Sequence, residues 1–206
     1  MMNETYREEP IAPDTARPAP GGPFATLWCW ICGGLLRLGG WRVQGDFPAA
    51  GKAVLLAAPH TSNWDGIWML LTAGYYRRKL RWMGKKSLTT GPFGGLVKWA
   101  GCVPVDRSAK HDLVAQMVEA FRARERMVLA IPPEGTRSQT EGWKSGFYHI
   151  AHGAGVPILI SVLDYGTRRV SLAALVWTSG DYEADLPRLR AFYAEAKGRH
   201  ADKFSG

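Results

Sequence analysis

The sequence predicts one α/β domain, a mixed central sheet flanked by helices, with an N-terminal interfacial helix leading into it. Three observations carry that reading. Short apolar runs at 53–58, 103–105, 127–131 and 157–163 have the length of buried strands and are separated by stretches with helical spacing. The first run breaks at Pro59 into a polar turn, His60-Thr61-Ser62-Asn63, that opens a helix. Finally, 206 residues at 46% hydrophobic suit one core and leave little room for a second domain.

In chain order, residues 1–20 are polar, with Pro10, Pro13, Pro18 and Pro20, and read as a disordered leader. Glu4, Glu8 and Glu9 come first, so the order of a signal peptide is absent. Residues 21–40 form a membrane-proximal unit whose helix, 24–38, is apolar all round. It is shorter than the ~20 residues a membrane span requires, so it is expected to lie on or dip into a bilayer with Trp28 and Trp30 at headgroup depth. Residues 41–206 are the main domain. Residues 41–46 alternate like a first strand, 53–58 form the central strand, and 64–76 form a helix. The segment 77–86 is rich in cations and reads as a solvated face, with Lys85 and Lys86 as candidates to line a site. A short helix at 93–100 and the strand 103–105 follow. A helix at 108–124 has a stripe of Val114, Met117, Val118 and Phe121 that belongs to a core. Strands at 127–131, 157–163 and 169–177 and a helix at 186–197 complete the chain.

The chemistry concentrates at the strand-to-helix corner. In open α/β sheets, ligands collect at the carboxyl ends of strands. His60 and Asp65 are five apart, a spacing that would point them away from each other on one continuous helix, so a turn capped by Ser62 or Asn63 is needed to bring them together. A carboxylate that accepts from one imidazole nitrogen sets the tautomer and leaves the other nitrogen free as a base. No Gly-x-Ser-x-Gly elbow is present, so the histidine is expected to activate a hydroxyl carried by a substrate.

The pattern His60-x-x-x-x-Asp65 resembles the signature of the glycerolipid acyltransferase superfamily, typified by 1-acylglycerol-3-phosphate acyltransferases. Three further blocks match in order: GCVPVDR at 101–107, PEGTRS at 133–138 and VPI at 156–158. The resemblance covers roughly 53–162. It implies that His60 and Asp65 are catalytic and that Arg107, Glu134, Gly135, Thr136 and Arg137 bind the acceptor's phosphate and glycerol. Arg107 and Arg137 have the planar fork of donors that phosphate oxygens fit. Glu134 holds the acceptor, braces Arg137 or forms a structural ion pair, and its residue type leaves these open. The implied reaction is O-acyl transfer in phospholipid biosynthesis, from acyl-CoA or an acyl carrier protein to a lysophospholipid or glycerol-phosphate-like acceptor. It needs no metal and no cofactor beyond that co-substrate. The alternatives are a hydrolase in which His60 activates water, and a non-enzymatic basic membrane-binding module.

Composition narrows the partners. A formal charge of +8 calls for an anionic one, and nucleic acid, an anionic leaflet and an acidic carrier protein all fit. Nucleic acid is set aside, because no binding motif is present and the aromatics cluster in apolar runs. Nine tryptophans in this length favour a membrane interface, and the expected location is the cytoplasmic face of a membrane, peripheral or monotopic. Three cysteines, Cys29, Cys32 and Cys102, make no disulfide framework. The Cys29-x-x-Cys32 and His149-x-x-His152 pairs have metal-like spacing, but no further ligands lie beside them.

Overall fold

The computed structural model describes residues 5–99, 101–105, 113–135 and 142–200. Eight described strands, β1 (Arg7–Pro10), β2 (Arg42–Gln44), β3 (Lys52–Ala58), β4 (Leu80–Lys85), β5 (Cys102–Val105), β6 (Met127–Ile131), β7 (Ile158–Asp164) and β8 (Arg169–Trp177), form one sheet in the order β1-β8-β7-β3-β6-β4-β5, with β2 also on β8. Two short helices, α3 (Lys86–Thr90) and α4 (Gly94–Trp99), link β4 to β5. At the centre, β3 (Lys52–Ala58) lies between β6 (Met127–Ile131) and β7 (Ile158–Asp164), parallel to both. β4 (Leu80–Lys85) pairs parallel with β6 and with β5 (Cys102–Val105), while β8 (Arg169–Trp177) runs antiparallel to β7. The loops after β3, β4, β6 and β7 therefore open at one end of the sheet.

Successive residues of a strand face opposite sides, and β3 sorts its side chains accordingly. Val54, Leu56 and Ala58 enter a core closed by Met117 and Phe121 of α5 (Leu113–Arg122), Phe147 and Ile150 of α6 (Gly146–Ala154) and Leu189 of α7 (Tyr182–Ala191). Ala53 and Leu55 face the other side, beneath Ala73 and Tyr76 at the end of α2 (Asn63–Tyr75). The stripe of Val114, Met117, Val118 and Phe121 does pack into the core.

The helix α1 (Pro23–Leu38) lies against α2, burying Cys29, Cys32, Gly33 and Leu36. All three cysteines are buried and free, and the Cys29 thiol points to the Tyr75 carbonyl at 3.1 Å. Gly74 makes this close approach feasible, since a β-carbon there would collide with Cys32 and come within 2.9 Å of Trp28 Nε1. The opposite side of α1 leaves Phe24, Leu27, Trp30, Ile31, Leu35 and Leu38 exposed, and Trp28, at the edge of the seam, is exposed as well. No described helix is long and apolar enough to cross a membrane.

Three elements differ from expectation. The polar leader contains a strand, β1 (Arg7–Pro10), antiparallel to the second half of β8, while β2 (Arg42–Gln44) takes the first half. Beyond β1 the leader is tied down by Tyr75, whose hydroxyl donates to the Ala16 carbonyl, and by Arg77, which donates to the Ala19 carbonyl. Local composition signalled disorder, but the open edge of β8 supplies backbone partners that no local pattern reveals. The cationic segment 77–86 contains β4, an interior strand. Its buried positions are Leu80 and Gly84, and its charges sit on long stems that reach solvent. The last helix begins at Tyr182 rather than 186, because Asp181 caps it by accepting from Ala184 N at 3.1 Å, and Pro187 is accommodated inside it.

Candidate active site

The helix cap explains how residues five apart meet. Ser62 is the N-cap of α2, and its hydroxyl accepts from Trp64 N at 3.2 Å. Asp65 is the third helical residue, and a carboxylate there reaches back to the cap, completing a capping box. Its Oδ2 accepts from Ser62 N and Thr61 N, both at 2.7 Å. His60 lies two residues before the cap, so the same carboxylate meets its imidazole: Nδ1 is 3.4 Å from Oδ2. The dyad is thus a by-product of the way this helix starts, with Nδ1 facing the acid and Nε2 turned away from it.

The second carboxylate oxygen of Asp65, Oδ1, accepts from the Tyr165 hydroxyl at 2.6 Å. Burial works to raise the Asp65 pKa, but the bonds from His60, Tyr165 and Ser62 outweigh it and hold the group below the ordinary aspartate range. Tyr165 moves the opposite way: burial first, then the adjoining carboxylate, push its phenol well above the ordinary value. It is a neutral donor at any working pH. Its ring stands edge-on to Trp41 at 4.9 Å, which fixes the direction of that donor.

The loop after β6 approaches the same corner. Glu134 is 2% exposed, and its Oε1 accepts from His60 N at 3.0 Å. Of the roles open to it from sequence, this adds one: it braces the main chain of His60. Burial raises its pKa, against the bonds it accepts from its own N–H and that of His60. Oε2 has no hydrogen-bond partner among the described residues. Gly135 has φ +65°, a left-handed conformation that disfavours side chains, and Lys144 covers it so closely that a β-carbon would come within 2.8 Å of Cδ. Arg107, Thr136 and Arg137 lie outside the described residues. Lys85 and Lys86 stand at the carboxyl end of β4, at the same end of the sheet as His60, but both are exposed and neither lines the cavity beside it.

That cavity, about 270 Å³, starts at His60, Pro59 and Asp65 and runs under α2 towards Tyr76 and Phe47. Its floor is the sheet face carrying Leu55, Ala57, Leu80 and Ala130, and its roof includes Met69, Leu70 and Ala73. Its walls are mostly apolar, and the His60 imidazole is one of them.

Sequence reasoning missed Tyr165, Lys144 and the C-terminal segment. Tyr165 is 100 residues from Asp65, and no local pattern marks it. After α7 the chain returns across the corner: Lys197 bonds to Tyr165 N through its carbonyl, and His200 N donates to Thr61 Oγ1 at 3.2 Å. His152 bonds Thr178 Oγ1 at 3.0 Å, and among the described residues no three His, Cys, Asp or Glu side chains are grouped to hold a metal ion.

A histidine oriented by the cap of its own helix, at the carboxyl end of a parallel strand and beside a mostly apolar cavity, defines an α/β protein with its candidate site at that strand-to-helix corner. The chain belongs to the acyltransferase family: the pattern of the family described as Acyltransferase matches residues 41–162. It is similar to the 1-acyl-sn-glycerol-3-phosphate acyltransferase of Salmonella typhimurium, 34% identical over 141 residues that cover 65% of this chain and 56% of that one. The Escherichia coli protein of the same name is 32% identical over the same shares. The chain thus spans little more than half the length of these relatives. Its fold is similar to the crystal structure of the 1-acyl-sn-glycerophosphate (LPA) acyltransferase PlsC from Thermotoga maritima. The TM-score is 0.51, with 15% identity over 84% of this chain and 81% of that one.

Proposed function

We propose that this chain is an O-acyltransferase of phospholipid biosynthesis, moving a fatty acyl group from an acyl thioester to a hydroxyl of a lysophospholipid or glycerol-phosphate-like acceptor. The observation that carries it is the joining of one imidazole to one cavity: His60, 3.4 Å from Asp65, lines a mostly apolar cavity under α2. His60 Nε2 takes the proton from the acceptor hydroxyl as its oxygen bonds to the thioester carbonyl carbon. The carbon–sulfur bond then breaks, and the departing thiolate recovers the proton from the imidazolium. Asp65 stays ionised, stabilising the imidazolium and keeping Nε2 aimed outward. The acyl chain lies in the cavity. Glu134 holds the His60 main chain, and Gly135, Arg107, Thr136 and Arg137 bind the acceptor's glycerol phosphate, as the family resemblance implies. The names of the relatives support lysophosphatidate as acceptor, and both acyl-CoA and acyl carrier protein suit the basic chain as donors.

The exposed apolar side of α1, with Trp28 and Trp30, seats the protein on a membrane at its cytoplasmic face, peripheral or monotopic. The deciding experiment supplies purified protein with labelled acyl-CoA and lysophosphatidate and identifies the product by mass spectrometry. The expected product is the diacyl phosphate, with His60→Ala inactive yet melting like the parent. General base catalysis contributes about 10²–10⁴-fold. Near-parental turnover by His60→Ala, or release of fatty acid without any acylated product, would reject the proposal.

A further inference from the structure

Four arginines stand together where α1 ends. Arg37 occupies its last turn, Arg42 opens β2, Arg168 closes the β7–β8 turn and Arg169 opens β8. The sheet brings them side by side: Arg42 and Arg169 are register partners, and Arg42 N donates to the Arg168 carbonyl at 2.9 Å. Arg168 Nη1 reaches the Gly39 carbonyl at 3.3 Å, at the cap of α1. Arg37 and Arg42 line one cavity of about 190 Å³, with Gly33, Trp41 and Tyr75 among its walls.

All four are exposed, and none forms an ion pair with a described residue. The acids on the neighbouring segments face other groups. Asp46 accepts from Arg17 N at 2.7 Å, and Asp164 accepts from Gly166 N, Thr167 and Lys197 N. A helix C-terminus favours cations at its last turn and cap, which accounts for Arg37 and for Arg168 on the Gly39 carbonyl, and leaves Arg42 and Arg169 beside them without an internal reason. A cluster of that kind is stabilised by an external anion.

The surroundings identify the anion. The cluster adjoins the exposed apolar side of α1, where Leu38 is 86% and Leu35 45% exposed. Its cavity shares no lining residue with the one beside His60. We infer that these four arginines form a docking site for the phosphate headgroup of an anionic phospholipid in the leaflet on which α1 rests. Planar guanidinium forks suit phosphate oxygens, and the Trp41 and Tyr75 walls suit the glycerol end beneath them. The β7–β8 turn that carries Arg168 also carries Tyr165, so a headgroup held here fixes the corner of the active site relative to the membrane surface. The inference rests on the membrane reading of α1.

The test is vesicle co-sedimentation of the full chain with phosphatidylcholine vesicles and with mixed phosphatidylcholine–phosphatidylglycerol vesicles. The parent should prefer the anionic vesicles, and salt should weaken that preference. The pairs Arg37→Gln/Arg42→Gln and Arg168→Gln/Arg169→Gln should each bind the anionic vesicles about thirtyfold more weakly, as expected for two cations removed from an anionic surface. Binding to phosphatidylcholine should stay at the parental level. Two pairs on different elements, each checked by its melting curve, separate loss of charge from loss of fold. Parental preference in both pairs would overturn the inference. Loss of CoA affinity with the lipid preference intact would overturn it too, assigning the arginines to the donor. Failure of the parent to bind either vesicle would instead reject the membrane reading of α1.

Discussion

The Tyr165 hydroxyl donates to Asp65 at 2.6 Å across 100 residues of sequence, making the β7–β8 turn part of the His60 site. Asp65 is thereby held on both oxygens, by the helix cap on one and by the phenol on the other. A carboxylate with no freedom to rotate keeps the imidazole in one orientation, as the proposed transfer to an acceptor hydroxyl requires.

Tyr165→Phe retains the ring against Trp41 and removes only the donor. A hydrogen bond to a charged group contributes about 1.5–3 kcal/mol, part of which reaches the barrier. The expected result is kcat about tenfold lower with KM unchanged. The acid limb of the pH–rate profile should shift upward, because an aspartate with fewer donors is protonated at higher pH. Steady-state kinetics across pH checks this, and a kcat within twofold of the parent at every pH would assign Tyr165 to packing alone.

Glu134 makes a pH-dependent contribution of definite sign. Its folded pKa is raised by burial, so the folded state holds that proton more tightly than the unfolded chain does. Ionised Glu134 therefore weakens the fold above its folded pKa, and the penalty disappears as pH falls towards the unfolded value of about 4.3. Glu134→Gln keeps an acceptor for His60 N and removes the buried charge. The variant is expected to be more stable than the parent at pH 8, with the gap closing near pH 4. Melting temperatures of both proteins over that range decide it, and a gap independent of pH would contradict the assignment.

Ala73 forms part of the roof of the cavity near its far end. Ala73→Leu places three further carbons in the cavity and should exclude long chains while sparing short ones. The expected outcome is at least a tenfold fall in kcat/KM for palmitoyl donors relative to octanoyl donors. An equal change for both lengths would place the acyl chain elsewhere.

The α1–α2 seam depends on the missing side chain at Gly74, which faces Cys32. Gly74→Ala should cost about 1–3 kcal/mol by overpacking, lowering Tm by roughly 3–10 °C. Adding Cys32→Ala should recover much of the loss, since it clears the space the new methyl needs. A single variant that melts like the parent would show that the seam is loosely packed.

Much of this protein was legible along the chain because the signals are local. The strands at 53–58 and 127–131 are apolar runs bounded by turn residues, and the His60–Asp65 pairing follows from a helix start whose cap and third residue adjoin in sequence. The four ordered blocks pointed to the family for the same reason, each being a short contiguous stretch of sequence. What sequence left hidden depends on segments that meet only after folding. Tyr165 reaches Asp65, Glu134 braces His60, and the four arginines gather at α1, because parallel pairing puts the ends of distant strands on one edge. The interior strand β4 and the edge strand β1 belong to the same group: charge and proline hide each locally, while neighbours already in place provide backbone partners. Periodicity reports which face of a segment is apolar, and only packing decides which segments lie against it.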